Sequence, residues 1–243
     1  PSDRAAEAEL FRCRSVCTFP PTAFVESLQA PASTAFLRFQ ALAALREVCL
    51  REWAVSPPAD RCGMRSFLLQ FAAQHVSELP DYVTSSALQT VAILLKRGWV
   101  EEEATAMACA AGPGGAQQPQ PSAAAQLLNS AVSAAASSSD SSGGASQHMC
   151  LRLLSLVVSE FLADANTSSA MGLSLTDHAA AYERFQDSPH GLVSVFSAAV
   201  SAINIAFDRA TQAAQAAGNT SPQPVCGAVQ LSAAPALAGL VKT

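Results

Sequence analysis

Apolar residues recur along this chain at three- and four-residue intervals, interrupted by prolines and by small polar runs. That period belongs to α-helices, and it predicts an all-α protein. Residues 5–17 form a first helical run, stopped by Pro20 and Pro21. Thr22 is placed to cap a short helix through Leu28, which Pro31 ends. Ser33 or Thr34 caps a longer helix running to about Trp53. On it Phe36, Phe39, Leu42, Cys49, Leu50 and Trp53 share a broad arc, with Gln40, Glu47 and Arg51 opposite. Arg46 falls inside the apolar arc, where its stem can lie over apolar neighbours while the charge stays in water. Pro57 and Pro58 break the pattern, and Asp60 is placed to cap a helix reaching about Val76. Its apolar positions, Met64, Phe67, Leu68, Leu69, Phe71, Ala72 and Val76, span about 200° of arc at 100° per residue. So wide an arc implies contact on two sides and leaves one narrow polar strip, Ser66, Gln70 and Gln74. Pro80 suits the first turn of the next helix, and Gly98 its end.

The character changes over residues 112–147, which read as a low-complexity insertion rich in Gly, Pro, Gln, Ser and Ala. Within it, residues 123–136 carry Leu127, Leu128 and Val132 at helical spacing and predict a short helix. Helical pattern resumes over residues 148–217. A helix runs to Leu162, a polar loop turns at Gly172, and Ser174 caps a helix starting at Leu175. A long helix then begins near Gly191, with Leu192, Val195, Phe196, Ala199, Val200, Ile203 and Phe207 as its apolar positions. Residues 218–243 have no clear period and read as a disordered tail.

Similar segments close on Trp53 and on Trp99, 46 residues apart, and a third ends at Phe161. Helix pairs recurring at about that interval are the signature of HEAT-type arrays. The expected architecture is a right-handed α-solenoid of about four helix pairs, with residues 1–111 holding the first three repeats. A single pair cannot bury its own apolar faces, so neighbours must stack. Such a fold works through extended surface.

Composition narrows the function. The net charge of −5 lacks the basic footprint that a nucleic-acid binder needs. No uninterrupted run of about 20 apolar residues predicts a membrane span, and residues 1–20 lack the layout of a signal peptide. The start at Pro1 without Met and the weak closing sequence read as a fragment. Cysteines 13, 17, 49, 62, 109, 150 and 226 are irregularly spaced, which suits reduced and mostly buried thiols. Cys13 and Cys17 could share a helix face, but no second ligand pair lies near them, so no metal site is expected.

Catalytic motifs are not found in the sequence. The glycines from Gly112 to Gly115 lack the following Lys of a phosphate loop. His75, His148, His178 and His190 lie far apart, and no acid, base and nucleophile fall together. The expectation is a protein that is not an enzyme and carries no cofactor.

The quoted blocks resemble the exportins of the importin-beta, or karyopherin, superfamily. The blocks are residues 39–53, 65–69, 82–98, 156–161 and 168–174, in family order over about two thirds of the chain. The resemblance implies the N-terminal part of a nuclear export receptor that binds Ran-GTP and protein cargo in the nucleus. Both would be released after GTP hydrolysis in the cytoplasm. It also implies shuttling between nucleus and cytoplasm, contact with nucleoporins, and cargo of the translation factor 5A or SMAD kind. In such receptors the first repeats form the Ran platform with the inner helix of each pair. The polar helix strips that would supply this row here are Thr22, Glu26 and Gln29, then Ser66, Gln70 and Gln74, then Gln126 and Asn129. The alternative expectation is a generic HEAT-repeat scaffold that holds protein partners without Ran.

Overall fold

A computed structural model describes residues 12, 15–16, 21–110, 121–136, 144–163, 168, 170 and 172–216. Among these residues the secondary structure is helical, with no strand. In chain order the helices are α1 (Thr22–Gln29), α2 (Ala35–Arg51), α3 (Pro58–Gln74), α4 (Asp81–Ala110), α5 (Ala123–Ala136), α6 (Gly144–Leu162), α7 (Leu175–Asp187) and α8 (Leu192–Ala216). The expected first helix and tail fall largely outside the described residues, apart from helical Arg12, Ser15 and Val16. The all-helical class expected from the pattern is what the structure has. The chain divides into two compact units, residues 1–94 with 170–172, and residues 95–169 with 173–243.

In the first unit α1 packs on α2; Phe24 and Leu28 are buried on α1, and Leu42, Leu45 and Val48 on α2. The link between them is fastened by polar groups. Thr34 is the N-cap of α2 and accepts from Leu37 N–H, one of the two caps the pattern offers. Arg38, almost wholly buried, donates through Nη2 to the Ala30 carbonyl at 3.2 Å, and Ser33 Oγ donates to Ser27 O at 2.6 Å. These bonds satisfy carbonyls at the end of α1 that no helical N–H can reach. The remaining core comes from Trp53, Met64, Leu68, Phe71 and the row Val83, Ala87, Leu88 and Val91 of α4. Arg46 is half-buried, as the stem-over-core reading requires.

Five local expectations are corrected. Thr22 is the first residue of α1 and Pro21 its N-cap, with no side-chain cap bond, because the turn starts one residue earlier. Asp60 likewise lies inside α3, whose N-cap is Pro57 with Pro58 in the first turn. There its carboxylate faces the positive end of the helix instead of capping it. Gly98 does not end its helix: it is buried, and α4 continues to Ala110. A glycine stops a helix by turning to positive φ, and among the described residues only Gly172 does so, at 80°. Trp99 therefore sits inside a helix, whereas Trp53 lies in the turn after one, so the two do not close equivalent segments. Phe36, assigned to the apolar arc of α2, is 67% exposed.

The second unit centres on α6. α5 packs on α6 and on α8, and α7 packs on α6 and α8. α5 occupies the residues where the short helix was expected. It packs mainly through alanines, burying Ala124, Ala125, Ala131 and Ala135 with Leu128. Small side chains let the neighbouring helix come close. Its start is held by Ser122 Oγ, which accepts from Ala125 N–H, and by Glu102 of α4, whose carboxylate accepts from Ala124 N–H at 2.9 Å. α6 starts at Gly144, four residues ahead of the expected His148. At its other end Trp99, Phe161 and Phe185 form one aromatic cluster. Trp99 meets both phenylalanines edge-on at 5.5 and 5.8 Å, and the two phenylalanines stack at 4.3 Å.

α7 begins with a reciprocal cap. Ser174 Oγ accepts from Asp177 N–H, while the Asp177 carboxylate accepts from Ser174 N–H. Replacing Ser174 by Ala removes one side of this box. The expected result is a loss of about 1 kcal/mol in urea-measured stability; an unchanged midpoint would show that the box contributes nothing.

Candidate functional site

Helical geometry places the expected partner-facing residues on two strips of the first unit. Thr22, Glu26 and Gln29 are all exposed on α1, at spacings of four and three. Ser66, Gln70 and Gln74 are all exposed on α3, each one turn from the last. Behind the α3 strip stand Met64, Arg65, Leu68, Phe71 and Ala72, all buried, with Arg65 wholly so. Their packing fixes the rotation of α3 about its own axis, and the strip faces solvent as a result. Gly63 extends the strip toward the helix start, and a side chain added there would meet nothing within 4 Å. The surface is neutral and narrow, with amide and hydroxyl groups that can donate and accept. Chemically it can dock a polar protein segment.

Gln126 and Asn129 belong to the second unit and differ in kind. Gln126 is exposed, and its Nε2 donates to the Pro121 carbonyl at 2.8 Å. Asn129 is half-buried, and its Nδ2 lies 3.0 Å from Nδ1 of His190, so the amide donates to the ring. Both side chains serve their own unit, tying a helix start and a loop.

The residue that pattern reading missed is Lys96. It is fully buried, and its Nζ donates to the Glu160 carbonyl at 2.7 Å, the Ala163 carbonyl at 2.8 Å and Ser168 Oγ at 3.3 Å. Ser168 Oγ in turn donates to the Glu160 carboxylate, whose residue is 8% exposed. The ammonium thus sits on the carbonyls that end α6, where the helix dipole favours a cation. Arg184 donates to Val100 O, within α4, at 2.8 Å. These are structural devices. Lys96 gave a faint signal, since it stands between Ala92, Leu95 and Trp99 on what is otherwise an apolar arc.

The thiols are free where they are described, at Cys49, Cys62 and Cys150. Burial pushes the Cys49 thiol up from 9.0 to about 12, and it raises Cys150 as well. Both stay protonated at neutral pH and are poor nucleophiles. The folded state keeps the Cys49 proton after the unfolded chain has released it. Its contribution to stability is therefore intact below pH 9 and lost as the pH rises from about 9 to about 12. At pH 8, iodoacetamide should label Cys49 and Cys150 at least about tenfold more slowly in the folded protein than in urea, because only thiolates react. Equal rates read by mass spectrometry would contradict this burial. Among the described residues no group of three or more His, Cys, Asp or Glu is placed to hold a metal ion.

The segment Leu192–Gln215 of α8 is long and apolar enough to cross a membrane by length and composition alone. Counting uninterrupted apolar residues missed it, because Ser, Asn, Thr, Gln and the adjacent pair Asp208 and Arg209 break the run. In the structure α8 buries Val195, Ala198, Ala199 and Ala202 along one face, while Val193, Phe196, Val200 and Phe207 are exposed. Comparison with protein-family models, with curated proteins and with solved structures finds no match to this chain.

Proposed function

We propose that the chain is the N-terminal part of a nuclear export receptor, an exportin-4-like karyopherin. It binds Ran-GTP and contributes to the transport of protein cargo through the nuclear pore. The observation that carries the reading is the solvent-facing strip Ser66, Gln70 and Gln74, set on a helix whose opposite face, Met64, Arg65, Leu68, Phe71 and Ala72, is buried. It is joined to the ordered blocks that resemble exportins. A helical array of this kind offers partners a long surface and works by recognition. Cargo, nucleoporin contact and shuttling between nucleus and cytoplasm follow from the resemblance.

The mechanism requires selectivity between nucleotide states. A receptor that bound both forms of Ran equally would shift no equilibrium and could not release cargo directionally. The strip must therefore touch segments of Ran that the γ-phosphate orders. Its side chains are neutral, so discrimination comes from hydrogen bonding and shape, and the affinity should depend only weakly on salt.

Immobilised chain should capture Ran loaded with a non-hydrolysable GTP analogue at least about tenfold better than Ran loaded with GDP, a difference of about 1.4 kcal/mol. Gln70→Ala combined with Gln74→Ala should reduce that capture about tenfold while circular dichroism stays helical. Equal or absent capture of both forms by folded chain ends the proposal.

One observation favours the alternative, a HEAT-type scaffold that binds protein partners without Ran. Asn129 is engaged by His190 and Gln126 by Pro121, so two of the eight residues in the proposed row serve their own unit. That alternative predicts a partner whose binding is lost with Gln70 and Gln74 yet indifferent to guanine nucleotide.

A further inference from the structure

We draw no further inference here: the strongest candidate, the exposed apolar stripe of α8 formed by Val193, Phe196, Val200 and Phe207, is an unpartnered helix face, and nothing in the structure shows what covers it.

Discussion

Lys96→Met should lower the stability of the protein by about 3 kcal/mol, because buried carbonyls would lose a charged donor and gain nothing in exchange. Methionine nearly preserves the volume of the side chain and its apolar stem, so the core around Ala92, Leu95 and Trp99 stays filled. What disappears is the ammonium. Glu160 O and Ala163 O lie 2.7 and 2.8 Å from Nζ at the end of α6, where Glu160 O also accepts a longer bond from Ala163 N–H at 3.3 Å. The same bonds hold Ser168 at the end of α6, so Ser168 should be released along with the helix end. Urea denaturation gives the size of the loss. Hydrogen exchange should show faster opening of the last turn of α6, with α5 changed less. A loss under about 1 kcal/mol would mean that Lys96 reaches water and that the three bonds are incidental.

Lys96 also shows where pattern reading reaches its limit. Helix positions were legible because apolar residues recur at the helical period and prolines mark the breaks. Thr34, Ser174 and the turn at Gly172 were legible for a different reason, since each feature depends on a few neighbouring residues. The short helix over residues 123–136 was legible from Leu127, Leu128 and Val132, yet its contacts were not. Its packing face is mostly alanine, with Leu128, while Leu127 and Val132 are only half-buried. Gly98 misled because glycine stops a helix only when its φ turns positive, and a chain whose pattern continues through Trp99 and Val100 has no reason to turn.

Charged residues are harder. A lysine among leucines reads as a solvated head on a buried stem, as Arg46 does. Lys96 and Arg38 depart from that rule because their partners are backbone carbonyls: Glu160 and Ala163 lie more than 60 residues away for Lys96, and Ala30 lies across a turn for Arg38. Backbone acceptors leave no mark in residue identity. The candidate site divides in the same way. Ser66, Gln70 and Gln74 were legible as a strip because helix periodicity groups them on one face, opposite the apolar positions that pack. Asn129 was not, since its half-buried setting depends on His190, which a loop brings back from 61 residues away.

Gly191→Ala should destabilise the second unit by about 3 kcal/mol, at the upper end of what overpacking costs. A Cβ built on Gly191 would lie 1.8 Å from the Phe185 carbonyl oxygen and 2.8 Å from its carbon. Both are backbone atoms, so no side chain can swing away to make room. Phe185 cannot retreat either, because its ring is stacked on Phe161 and set edge-on to Trp99. Nor can Gly191 shift cheaply. Its N–H donates to Ser188 O at 2.9 Å, and its carbonyl accepts from Val195 N–H at 3.1 Å, the first bond of α8. Relief must therefore come from moving α7 against α8 or from unwinding the start of α8. Gly63→Ala supplies the opposite case. That glycine lies on the exposed side of α3 with nothing within 4 Å of the new methyl, so better helix propensity should raise stability by up to about 1 kcal/mol. The same substitution should thus move the urea midpoint in opposite directions at the two sites. If Gly191→Ala is as stable as the parent, the connection between α7 and α8 cannot follow the path described.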